Sequence, residues 1–151
     1  MKNFITLLTT VLIVNFGPIG HANEISSTAG VLTIDNAWVA EAPPVSKVMV
    51  AYLTISNMGY KAITITNAES ELYSSIEFHE TIHENGMARM VRHDELVVPA
   101  SSSLELKRGG KHLMLFNPSR RLKVDDTVTI KLTTTNGTIK TISVPVKKAQ
   151  Y

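Results

Sequence analysis

From Val31 onward, apolar and polar residues alternate in short runs, most plainly in "VTIKLTT" (128–134) and "TIKTISVPV" (138–146). Alternation with a period of two places one set of side chains on a buried face and the other toward water, the pattern of half-buried strands. β-Branched and aromatic enrichment in the same runs supports strands near residues 32–39, 48–56, 62–68, 75–82, 87–92, 104–107, 111–116, 127–134 and 138–146. No segment sustains the i, i+3, i+4, i+7 apolar spacing of an amphipathic helix. Many short, evenly spaced strands predict an all-β sandwich or barrel in a single domain over residues 31–148.

Two hairpins are signalled by Asn-Gly between strand-like runs, in "HENGMA" and "TTNGTI". Asn-Gly readily takes the positive φ angles of a type I′ turn, and Asn85-Gly86 is taken as a two-residue loop. "EAPPVSK" (41–47) is expected to be a stiff connection, because Pro43 and Pro44 cannot donate to a sheet ladder.

The first residues follow another pattern. Lys2 precedes an apolar run, Phe4 to Phe16, then Gly17-Pro18 and the small-residue sequence Gly20-His21-Ala22. This is the layout of a secretory signal peptide over residues 1–22, followed by a polar lead-in over 23–30. Thirteen residues fall short of the roughly 20 needed to span a bilayer, so no permanent membrane anchor is expected. Once Lys2 is removed from the 15 Lys and Arg, 14 remain against 13 Asp and Glu, a net charge of +1. That balance offers no electrostatic reason for a nucleic-acid partner. Arg120, Arg121 and Lys123 meet Asp125 and Asp126 almost at once and read as a solvated turn. Cysteine is absent. Thiol–disulfide exchange, a thiolate nucleophile, a Cys-ligated blue-copper centre and lipid attachment at an N-terminal Cys are thereby excluded.

The candidate chemistry lies in histidine and methionine. His112 and Met114 are two residues apart in "GGKHLMLFNP", so they share one strand face while Leu113 and Leu115 face a core. With Asn85-Gly86 as a two-residue loop, Glu84 faces Met87 and Thr81 faces Met90. His79 and Met90 are then diagonal neighbours, with Cβ atoms roughly 7 Å apart. His83 shares that face nearer the turn, and His93 falls on the other. Two imidazoles and two thioethers around one point form a soft, neutral donor set that suits Cu(I) better than Mg²⁺, Ca²⁺ or Zn²⁺. Without a thiolate, such a site lacks blue-copper colour. Protons compete only at the imidazoles, so affinity is expected to weaken below roughly pH 6.

The spacing His79-x10-Met90-x21-His112-x-Met114 resembles the signature of the periplasmic PCu(A)C copper chaperone family. "AWV…APP", "AYLTISN", "EFHE", "ENGMARM", "GGKHLML" and "LKVDDTVTIKL" are similar to that family as well, so the likeness runs from about Val31 to Val146. The resemblance implies a cupredoxin-like Greek-key β-sandwich or barrel and one bound copper. It also implies a periplasmic location and copper delivery toward cytochrome oxidase assembly. Departures are Ala40-Glu41 after "AWV", Asp125 where relatives often have Gly, and His83 where they often carry Met.

Taken singly, a histidine is a half-buried surface residue and a methionine a core filler. The shared face and the spacing together favour His79, Met90, His112 and Met114 as metal ligands. Met49 and Met58 read as packing or edge residues, Met87 as a minor candidate, His83 as an auxiliary donor, His93 as solvated, and Trp38 as core or rim. The expectation is a monomeric, non-enzymatic carrier that passes Cu(I) to an apo-protein by ligand exchange. A copper buffer without a client and a metal-free structural sandwich are the alternatives. No Ser-His-Asp order or paired carboxylates argue for an enzyme.

Overall fold

The computed structural model describes residues 31–149, so the signal peptide and lead-in expected over 1–30 lie outside the described residues. Ten strands follow in order: β1 (Leu32–Ala40), β2 (Val48–Asn57), β3 (Ile63–Glu69), β4 (Tyr73–Glu84), β5 (Met87–His93), β6 (Leu96–Val98), β7 (Ser102–Leu106), β8 (Lys111–Pro118), β9 (Thr127–Thr134) and β10 (Ile139–Lys147). The all-β expectation holds, with no helix among the described residues. β6 goes unread in the sequence because its three residues, followed by Pro99, are too few for alternation to register.

The strands form two layers. One runs β5-β4-β8-β2-β1, with β7 also on β2; the other runs β10-β9-β3-β6. They join through a short parallel pairing of β1 with β10, Val39 opposite Val146 and Ala40 opposite Lys147. No pairing among the described residues connects β5 to β6, so the sandwich stays open at that edge.

Alternation explains the core. On β2, Met49, Ala51, Leu53 and Ile55 are buried while their neighbours are half-exposed. They meet Ile63 and Ile65 of β3, Val128, Ile130 and Leu132 of β9, and Val144 and Val146 of β10 in one apolar cluster. Each side chain that becomes fully buried contributes about 1.5–3 kcal/mol. Met49 is thus a core residue, and its sulfur accepts a hydrogen bond from Tyr73 Oη at 3.3 Å. Burial pushes the Tyr73 phenol well above its usual range. Trp38 belongs to the rim, half-buried, 5.0 Å from the Tyr52 ring.

The hairpins divide. Asn85 (φ 51°) and Gly86 (φ 77°) both take positive φ, the type I′ geometry expected. At the second Asn-Gly only Gly137 (φ 81°) does. There Thr134 and Thr138 close a three-residue loop, Thr134 N–H donating to Thr138 O at 2.9 Å, so the type I′ expectation fails at this turn. The Asn136 side chain accounts for the difference, because its Oδ1 accepts from Thr134 Oγ1 and from Thr138 N–H and stabilises the longer loop.

β7 and β8 lie end to end along the same edge of β2: Leu106 pairs with Leu53 and Leu113 with Ala51. Residues 107–110 therefore loop out of what is otherwise one continuous strand. The excursion closes with Lys107 N–H donating to Lys111 O at 2.7 Å and Gly110 N–H donating to Lys107 O at 3.1 Å. Gly109 supplies the positive φ (71°) that this tight reversal needs.

Candidate metal centre

Strands β5, β4 and β8 lie side by side, and their register aligns the histidine and methionine positions. On β4, Glu77, His79 and Thr81 alternate with the buried Ile76 and Phe78, and so face outward. His79 is the Cα partner of Arg92 on β5 and of His112 on β8. Thr81 pairs with Met90, and Glu77 with Met114. His79, Met90, His112 and Met114 consequently share the outer face of one layer. Leu113 and Leu115 point into the core, as the alternation predicts.

Reach differs among the four. The His79 and His112 rings are 6.2 Å apart, centre to centre. An ion held at about 2.1 Å from one nitrogen of each ring requires a separation of roughly 5–6.5 Å, so the two imidazoles are already at bridging distance. With strands about 4.8 Å apart and about 6.8 Å per two residues, Met114 Cα lies roughly 7 Å from the midpoint between the histidines. Met90 Cα lies roughly 10 Å away by the same spacing. Met90 is also the most exposed of the set, at 52%, on an edge strand, whereas His112 is only 5% exposed.

Each imidazole is oriented by one hydrogen bond. His112 Nδ1 lies 3.0 Å from Gly110 O. A carbonyl only accepts, so Nδ1 carries a proton, and in the neutral ring Nε2 is the nitrogen with the lone pair. The same carbonyl accepts from Thr81 N–H at 3.1 Å, which ties the 107–110 excursion to β4. His79 Nε2 lies 2.8 Å from Glu77 Oε2, and Arg92 Nη1 lies 3.4 Å from Glu77 Oε1. Among the described residues, His79 Nδ1 is the one buried side-chain nitrogen or oxygen without a partner. Such an atom costs about 1–3 kcal/mol unless something occupies it.

Glu77 and the Gly110 carbonyl are the parts that sequence reasoning missed. The signal available was Glu77 two residues before His79, hence on its face. His83 shares the face but is exposed beside the turn, paired with Ala88. His93 corrects the expectation of a solvated side chain. It is half-buried on the other face, where its Nε2 meets Glu80 Oε2 at 2.8 Å, and Lys111 Nζ binds the same oxygen. Lys111 and His93 hold the Glu80 carboxyl below its ordinary range. Met58 and Met87 are both 71% exposed, and Met87 lies on the face opposite His79 and Met90.

The LpqE-like family model matches residues 32–146 of this chain. The CuI form of DR1885 from Deinococcus radiodurans is 35% identical, with a TM-score of 0.64 over 82% of this chain and 85% of that one. The chain belongs to the LpqE-like family. The copper-bound PCuAC domain from PmoF2 superposes with a TM-score of 0.67 over 80% of this chain and 96% of that one. At 19% identity it speaks for the fold of this LpqE-like chain alone. Protein Lxx21020 of Leifsonia xyli subsp. xyli is 29% identical over 147 residues, 92% of this chain and 87% of that one.

Proposed function

We propose that this protein is an exported, periplasmic copper chaperone. It binds one Cu(I) through His79, Met90, His112 and Met114 and passes it to an apo-protein by ligand exchange, toward the assembly of cytochrome oxidase copper sites. The observation that carries this reading is the cross-strand pairing of His79 with His112, with both methionines on the same face. The 35% identity to a protein solved in a CuI form supports copper as the cargo. Two neutral imidazoles and two thioethers suit the reduced ion.

The unequal reach of the donors supplies a transfer route. His79, His112 and Met114 form a close base, and the exposed Met90 is an outer arm on an edge strand. An acceptor's thioether or thiolate displaces Met90 first, so copper is never without several donors as it leaves. A surface site of this kind is open to a partner. The role is carriage without turnover, and a monomer suffices because the four donors come from one chain. Export is supported by the apolar run at Phe4–Phe16 and by the lipoprotein description of the LpqE-like family, although these 151 residues hold no cysteine to carry a lipid.

The test is a Cu(I) titration against a chromophoric chelator, followed by incubation with an apo copper-site acceptor. Retention of one equivalent and its passage to the acceptor is the expected result. No retention at a chelator strength that leaves other Cu(I) carriers loaded overturns the reading.

A further inference from the structure

We propose that His79 ligates copper through Nδ1 and His112 through Nε2, and that Glu77 is the positioning residue that selects the nitrogen on His79. This rests on the copper-site reading above and adds which atoms bind and what aims them.

An imidazole offers a metal whichever nitrogen its other hydrogen bond leaves free. On His112 the Gly110 carbonyl takes the Nδ1 proton at 3.0 Å, which leaves Nε2. On His79 the Glu77 carboxylate stands 2.8 Å from Nε2, which leaves Nδ1, and that atom is buried and unpartnered. The two histidines are thus set in opposite senses. Both settings come from groups that sit on or next to the site by register. Glu77 is the Cα partner of Met114, and Arg92, which steadies Glu77 Oε1 at 3.4 Å, is the Cα partner of His79.

Charge points the same way. The four donors are neutral, so they leave the charge of Cu(I) uncompensated. Glu77 places a carboxylate one hydrogen bond from the ion, and the imidazole between them becomes a better donor for it. Arg92 offsets this only weakly, being 61% exposed to water.

Silver(I) is a soft, closed-shell surrogate for Cu(I), and 109Ag couples to a bound nitrogen. Long-range proton–nitrogen spectra of the ¹⁵N-histidine-labelled protein loaded with 109Ag(I) should show splitting at His79 Nδ1 and at His112 Nε2. Splitting at His79 Nε2 means that loading breaks the Glu77 bond, and it overturns the inference while the copper site survives. No splitting at either histidine overturns the copper-site reading and this inference with it. Glu77→Ala should weaken Cu(I) binding about 10–100-fold. Glu77→Gln, which keeps an oxygen for the Nε2 proton, should recover part of the loss. Wild-type affinity in Glu77→Ala removes Glu77 from this role. The splitting pattern requires no variant, so it decides the nitrogen assignment even if Glu77→Ala fails to fold.

Discussion

His79 and His112 are direct cross-strand partners on β4 and β8, their rings 6.2 Å apart on the outer face of the sheet. They are 33 positions apart in the chain, and the neighbouring strand β5 brings Met90 to the same face. Every prediction about copper depends on that juxtaposition.

X-ray absorption of the copper form separates the two thioethers. Met90→Leu and Met114→Leu should each remove about half of the sulfur scattering. Because Met90 is 52% exposed, its replacement should leave stability within about 0.5 kcal/mol while speeding copper release. Unchanged sulfur scattering in both variants would remove them from the site.

Gly109 holds the excursion that presents the Gly110 carbonyl to His112. A side chain at its φ of 71° meets no steric neighbour, so the cost of Gly109→Ala is backbone strain of about 1–2 kcal/mol. We expect Cu(I) affinity to fall along with the melting temperature. A loss of stability with unchanged affinity would show that the loop does not orient His112.

Asn57 is fully buried, and its Nδ2 donates to the carbonyls of Lys61, Val98 and Pro99, while its Oδ1 accepts from Gly59 N–H. It ties the end of β2 to β6, strands that carry none of His79, Met90, His112 and Met114. Asn57→Ala leaves these groups unpaired and should cost about 2–3 kcal/mol in chemical denaturation. Copper stoichiometry of the folded fraction should stay at one.

Asp126 caps the 119–126 turn. The Lys123 backbone N–H donates to it at 2.8 Å and Arg120 at 3.0 Å, and together they lower its pKa below the ordinary 3.8. The folded value lies below the unfolded one, so this contribution to stability is present above about pH 4 and is lost as pH falls through the folded value. Asp126→Asn should therefore flatten the pH dependence of stability between about pH 5 and 2. A curve parallel to the wild type would rule Asp126 out as a source of acid sensitivity.

Much of this protein was legible locally. Period-two alternation identified nearly every strand and assigned Leu113 and Leu115 inward against His112 and Met114 outward, because face depends only on neighbours in the chain. The Asn85-Gly86 turn set the β4–β5 register for the same reason, since a two-residue loop leaves one way to pair the flanking residues. The other Asn-Gly escaped this logic: side-chain bonds from Asn136 to Thr134 and Thr138 favoured a longer loop.

Only the tertiary structure decided that β8 docks beside β4, since pairing between distant strands depends on how the whole core packs. From that one docking follow the partnership of His79 with His112, the shielding of His112, and the pairing of Glu77 with Met114. The hydrogen bonds that leave Nδ1 free on one ring and Nε2 on the other were equally invisible in one dimension, because the choice between two nitrogens is made by whichever acceptor the fold sets beside each ring.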